Sequence, residues 1–86
     1  MHRTTAGFWD RFDRLPEAAQ AVARKNFELL KSDPSYPSLH FKKVGNLWSV
    51  RAGLNYRALA INDGADFVWV WIGSHDDYTR LLKQQG

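Results

Sequence analysis

Six consecutive large or β-branched residues, Phe67-Val68-Trp69-Val70-Trp71-Ile72, stand between Gly64 and Gly73. No other stretch constrains the fold as tightly. The run is too short to cross a membrane, and its aromatic and β-branched content disfavours a helix. It reads as a strand covered on both faces, a central strand against which the other elements must pack. At its exit the chain turns abruptly polar, through Gly73-Ser74-His75-Asp76-Asp77-Tyr78. A histidine delivered by the end of a rigid strand is well supported, and function is sought there first.

The 86 residues make a single domain, residues 1–86, with no room for a second core. By size scaling such a chain buries about 60–65% of its unfolded surface, so its stability is marginal. There are no cysteines, hence neither a disulfide framework nor a thiolate metal site. Aromatic residues, including four tryptophans, must carry much of the core. The segment Met1-His2-Arg3-Thr4-Thr5 lacks the apolar stretch of a secretory signal, and no run is long enough for a membrane helix. A cytoplasmic, membrane-free protein is expected.

Net charge is +3, too small alone to argue for nucleic acid. Its distribution says more. Between Asp33 and Asp63 there is no acidic residue, while Lys42, Lys43, Arg51 and Arg57 fall in that interval. The positive charge is therefore concentrated as a patch.

Phe8, Phe12 and Leu15 recur at helical spacing, predicting a short amphipathic helix over 6–15. Pro16-Glu17 suits a restart, since proline fits a first helical turn and Glu17 suits the positive end of the helix dipole. A second helix runs from Pro16 to Ser32, with Ala19, Val22, Ala23, Asn26, Phe27 and Leu30 on one stripe, and stops before Asp33-Pro34. Strands follow at Leu39–Val44, Leu47–Ala52 and Tyr56–Asn62. Gly45-Asn46 and Asp63-Gly64 mark the turns before the second of these and before the apolar run. Ser74 to Asp77 fits a capping box opening a last helix, Asp76 to about Lys83. The expected class is α+β: an N-terminal helical hairpin packed on a four-stranded, mainly antiparallel sheet, with a short C-terminal helix. An additional short strand at the N-terminus fits the same scheme.

Alternation places Arg51 with Ser49, opposite Trp48 and Val50, and Arg57 with Leu59 and Ile61, opposite Tyr56, Ala58 and Ala60. Small alanines suit a helix-covered face, so both arginines belong on the other face, near the end where His75 emerges. Two guanidinium groups beside an imidazole make a phosphate-handling arrangement. On RNA the matching chemistry is proton removal from a 2′-hydroxyl, attack on the adjacent phosphate, and protonation of the 5′ leaving oxygen. Imidazoles as a class titrate near about 6.5, so both forms exist near neutrality. Guanidinium groups are permanently charged, which suits a dianionic transition state.

The segments Leu39-His40-Phe41-Lys42-Lys43, Trp48-Ser49-Val50-Arg51, Tyr56-Arg57-Ala58-Leu59 and Trp71-Ile72-Gly73-Ser74-His75-Asp76-Asp77-Tyr78, together with the helices upstream, resemble the RelE/ParE superfamily of type II toxin–antitoxin toxins. The resemblance implies a small toxin neutralised by a cognate antitoxin and, in many members, cleavage of mRNA in the ribosomal A site without metal or other cofactor. It gives Arg57 and Arg51 the role of phosphate stabilisers and His75 that of a proton-transfer group. Lys42 and Lys43 become contacts to the RNA backbone. Ser49 stands where some members carry a second lysine. Leu81 or Leu82 replaces an aromatic that some use to stack a base, a role for which Tyr78, one helical turn earlier, is the available substitute. A non-nucleolytic inhibitor of the ParE kind, acting on a protein target such as DNA gyrase, and a degenerate member that only binds a partner are the alternatives.

Each residue also has a plainer reading. His75 fits a helix-start residue bonded to a carbonyl, and Asp76 and Asp77 fit helix-start charges, with Asp76 also able to orient the imidazole. Arg51 and Arg57 could pair with Asp66, Asp76 or Asp77. Lys42 and Lys43 suit an edge strand that discourages sheet-to-sheet association. Trp48, Trp69 and Trp71 are expected in the core.

Overall fold

The computed structural model describes residues 1–85. The chain runs β1 (His2–Thr4), α1 (Ala6–Phe12), α2 (Glu17–Ser32), a 3-10 turn (Pro37–Leu39), β2 (Lys42–Val44), β3 (Leu47–Arg51), β4 (Tyr56–Asp63), β5 (Asp66–Ser74) and α3 (His75–Gln85). The class is α+β, but the sheet has five strands, in the order β1-β5-β4-β3-β2. Pairing is antiparallel except for β1, which runs parallel to β5 with His2 opposite Phe67 and Thr4 opposite Trp69. The apolar run is thus an interior strand, while the middle of the sheet is β4.

Where β1 ends, α1 takes over the edge of β5. The Thr5 backbone N–H donates to the Trp69 carbonyl at 3.2 Å. The Thr5 hydroxyl caps α1 by accepting from the Phe8 N–H at 3.2 Å, and also donates to the Trp69 carbonyl at 3.1 Å. The expected hairpin is an unequal pair, seven residues against sixteen. Gln20 fastens α2 to the intervening turn by donating to the carbonyls of Phe12 at 3.1 Å and Leu15 at 3.2 Å. The strand expected from Leu39 begins only at Lys42, because Pro37 opens a 3-10 turn and His40 is left-handed at φ 48°. The last helix begins at His75, since Ser74 Oγ accepts from the Asp77 N–H at 3.1 Å and acts as its cap.

Register sets what each face carries. Ala60 pairs with Trp69 and Leu59 with Trp71, which leaves Val70 as a bulge. A bulge shifts the alternation by one residue. Trp69 and Ile72 therefore join Phe8, Phe12, Ala23, Leu30, Val50, Ala58 and Ala60 beneath α1 and α2. Trp71 faces the other way, with Leu59 and Tyr78, against Leu81 and Leu82 of α3. Helices thus cover both faces, not one: α1 and α2 pack on one, and α3 lies over part of the other. No helix among the described residues is long and apolar enough to cross a membrane.

Candidate functional site

The face that α3 only partly covers carries the cationic residues. Arg51 and Arg57 are direct register partners on β3 and β4, and Gly73 of β5 stands opposite Arg57 on its other side. Like charges placed opposite each other across a sheet are destabilising. No carboxylate relieves them, since among the described residues neither arginine forms an ion pair. Asp66 instead meets Arg3 at 3.3 Å, and Asp77 meets Arg80 at 3.3 Å.

Arg57 donates to two carbonyls of its own loop, Tyr56 at 2.8 Å and Gly53 at 3.5 Å. Burial, and then the charge of Arg51, push its guanidinium below the usual arginine value, while Tyr78 acts in the opposite sense. The buried Nε of Arg51 has no hydrogen-bond partner among the described residues. From α2, Asn26 donates to the Arg51 carbonyl at 3.1 Å and fixes the end of β3. Neutral carbonyls thus hold the Arg57 guanidinium, whereas a neutral side chain fixes only the backbone of Arg51. An anion is the species that satisfies both guanidinium groups.

His75 stands at the end of the same sheet. Ser74 pairs with Tyr56, and the His75 backbone N–H donates to the Asn55 carbonyl at 2.8 Å. The side chain is exposed, with its ring centroid 6.0 Å from that of Tyr78. Asp76 makes no hydrogen bond to the imidazole among the described residues. Tyr78 is buried on the arginine face, below the imidazole and near Arg57.

The two lysines part company. Lys42 pairs with Ser49 and shares the face of Arg51 and Arg57, whereas Lys43 pairs with Trp48 on the opposite face. One feature that sequence reasoning missed is the hollow at Gly73. A Cβ there would lie 2.6 Å from Cζ2 and 2.8 Å from Cη2 of Trp71, so the indole lies over the glycine, in the row next to Arg57. The signal was the glycine that follows the apolar run, but the bulge at Val70, which turns Trp71 to this face, has no mark in the sequence. Among the described residues no group of three or more His, Cys, Asp or Glu side chains is placed to hold a metal ion.

Residues 17–80 match the family model of the ParE-like toxin domain. No curated protein sequence matches the chain. The fold is similar to that in the RelB–RelE antitoxin–toxin complex of Methanococcus jannaschii, with a TM-score of 0.71 and 16% identity over 92% of this chain and 96% of that one. It is also similar to the RelBE2 toxin–antitoxin complex of Mycobacterium tuberculosis, with a TM-score of 0.65 and 19% identity over 87% and 96% of the two chains. The YoeB/ParE toxin of Agrobacterium tumefaciens gives a TM-score of 0.64 and 14% identity over 86% and 96%. At such identities the likeness speaks to the fold alone.

Proposed function

The chain belongs to the ParE-like toxin domain family of the RelE/ParE superfamily, and on that premise we propose that it is the toxin of a toxin–antitoxin pair and cleaves mRNA on the ribosome. One observation carries the nuclease reading: Arg51 and Arg57 face each other without a carboxylate, at the end of the sheet where an exposed His75 emerges. His75 takes the proton from a 2′-hydroxyl or returns one to the 5′ oxygen, and solvent water carries the other of these two transfers. The 2′ oxygen bonds to the adjacent phosphorus as the bond from phosphorus to the 5′ oxygen breaks, leaving a 2′,3′-cyclic phosphate. The arginines hold the charge that builds on the phosphoryl oxygens, the part a metal ion plays elsewhere, so the reaction proposed is metal-independent. Lys42 extends the cationic row for the RNA backbone, and Tyr78 walls it. Lys43, on the other face, is left out of this assignment.

The test is induction of the chain in cells with mapping of mRNA ends. His75→Ala should lower cleavage by about 10²–10⁴-fold, the usual worth of general acid–base catalysis. Arg57→Ala should remove growth arrest, and Arg57→Lys should restore it only in part, because an ammonium lacks the planar fork. Growth arrest with intact mRNA would overturn the nuclease reading, as would unchanged cleavage by both folded alanine variants. The description of the matched family as ParE-like favours a second reading, inhibition of a protein target such as DNA gyrase. Loss of plasmid supercoiling in the arrested cells, with mRNA intact, would establish it.

A further inference from the structure

Two rows of side chains cross the arginine face. Lys42, Ser49, Leu59 and Trp71 are register partners on β2, β3, β4 and β5, and Arg51, Arg57 and Gly73 form the next row. A single strand of RNA whose phosphate lies on the arginine pair extends towards β2 on one flank and towards β5 on the other. Lys42 meets the first flank. The second flank reaches the Trp71 indole beside Gly73, three strand spacings or about 14 Å across the sheet from Lys42. Bases of unpaired RNA are held by stacking, on aromatic rings or on guanidinium planes. The two large aromatic residues of this face offer no open ring, because Tyr78 is 8% exposed and Trp71 is 9% exposed.

What lies over Trp71 is Arg11. From the last turn of α1 its guanidinium reaches the indole, 6.0 Å from the ring centre. The helix can deliver it because α1 takes over the edge of β5 beyond β1. Arg11 is exposed and its side chain forms no ion pair or hydrogen bond among the described residues. A cation at the end of a helix complements the helix dipole. That accounts for the charge of Arg11 but not for its seat on an aromatic ring. With the indole behind it and solvent in front, the guanidinium is a flat, weakly hydrated cation that a base can cover. We propose that Arg11, backed by Trp71, is a further substrate-binding residue: the platform on which the base of the nucleotide on the β5 flank stacks. The proposal rests on the nuclease reading and adds a contact to a base, where the residues already assigned meet phosphate or move protons.

The experiment titrates the purified chain with a labelled 2′-O-methyl oligoadenylate of about six nucleotides, which cannot be cleaved. Its twin has the same sugars and phosphates but no bases. The wild type should prefer the base-bearing chain by about tenfold, within the usual worth of one stacked base. Arg11→Ala should bring the two affinities together. Arg11→Lys should do the same while holding the baseless chain as the wild type does, because the charge remains and the plane is lost. Arg11→Phe should keep most of the preference, since a ring replaces the plane. All three changes are at an exposed position and should leave the melting temperature near the wild-type value. Equal binding of the two chains by the wild type, or binding of neither, would overturn the proposal. So would a preference that survives Arg11→Ala, or one kept by Arg11→Lys and lost by Arg11→Phe, since Arg11 would then contact phosphate only. Cleavage of mRNA in cells is scored separately. Cleavage without a base preference defeats the platform alone, whereas growth arrest with intact mRNA defeats the nuclease reading and the platform with it.

Discussion

At position 73 a hydrogen is all that the packing accepts, because the Trp71 ring occupies the place of a Cβ. Gly73→Ala must move either the indole or the strand, and overpacking of that kind costs about 1–3 kcal/mol. Thermal unfolding should show it as a fall of roughly 4–8 °C per kcal/mol for a domain of this size. Growth arrest should fall as well, since Gly73 is the register partner of Arg57. His2 makes a second prediction. Trp69 Nε1–H donates to its Nδ1 at 3.0 Å, and its ring stacks on Phe67 and Trp69. Burial, then the nearby amino terminus and Lys31, hold its pKa below the ordinary 6.5. The folded state thus prefers the neutral ring. Its contribution is complete above about pH 6.5 and falls as the pH drops below that value towards the folded pKa, where the loss levels off. Melting temperature should decline more steeply between pH 6.5 and 5 in the wild type than in His2→Gln, which keeps an acceptor but does not titrate.

Thr5 joins two elements: it caps α1 and bonds the last carbonyl of β5 that β1 reaches. Thr5→Ala should cost about 1 kcal/mol in urea unfolding, and Thr5→Ser should recover most of it. Register also separates the lysines, so Lys42→Ala should weaken binding of single-stranded RNA and Lys43→Ala should leave it near the wild-type value. The salt dependence sharpens that contrast. Each phosphate neutralised adds about 0.7 to the slope of log affinity against log salt, and Lys42→Ala should remove about that much. The faces of Arg51 and Arg57 were legible in the sequence because β3 and the first half of β4 alternate without interruption. The sides of Trp69 and Trp71 were not, because the bulge at Val70 shifts the alternation inside a run where every residue is apolar. The short N-terminal strand was expected, but its pairing was hidden: three residues, His2-Arg3-Thr4, carry no period, and their partner lies far along the chain. As neighbours in one strand, Lys42 and Lys43 take opposite faces, and the register of β2 on β3 decides that Lys42 is the one beside the arginines.

On the scale of the whole molecule, the sheet divides the protein into two surfaces of different character: an aromatic slot between helices on one side, and a cationic row beside His75 on the other. The net charge of +3 concealed this division, since the cations that matter are sorted by register and not by number. The strand order has a further consequence in time. The first strand of the chain pairs only with β5, the last, and α1 leans on the same strand. During synthesis, residues 2–12 must remain unseated until residues 66–74 have left the ribosome. The loop that closes is long, and its entropy must be met before any contact rewards it. His75 follows directly, so the nascent chain completes its fold and its candidate site in a single late event. A chain assembled in this order has neither its β1–β5 pairing nor its candidate site until residues 66–75 have emerged.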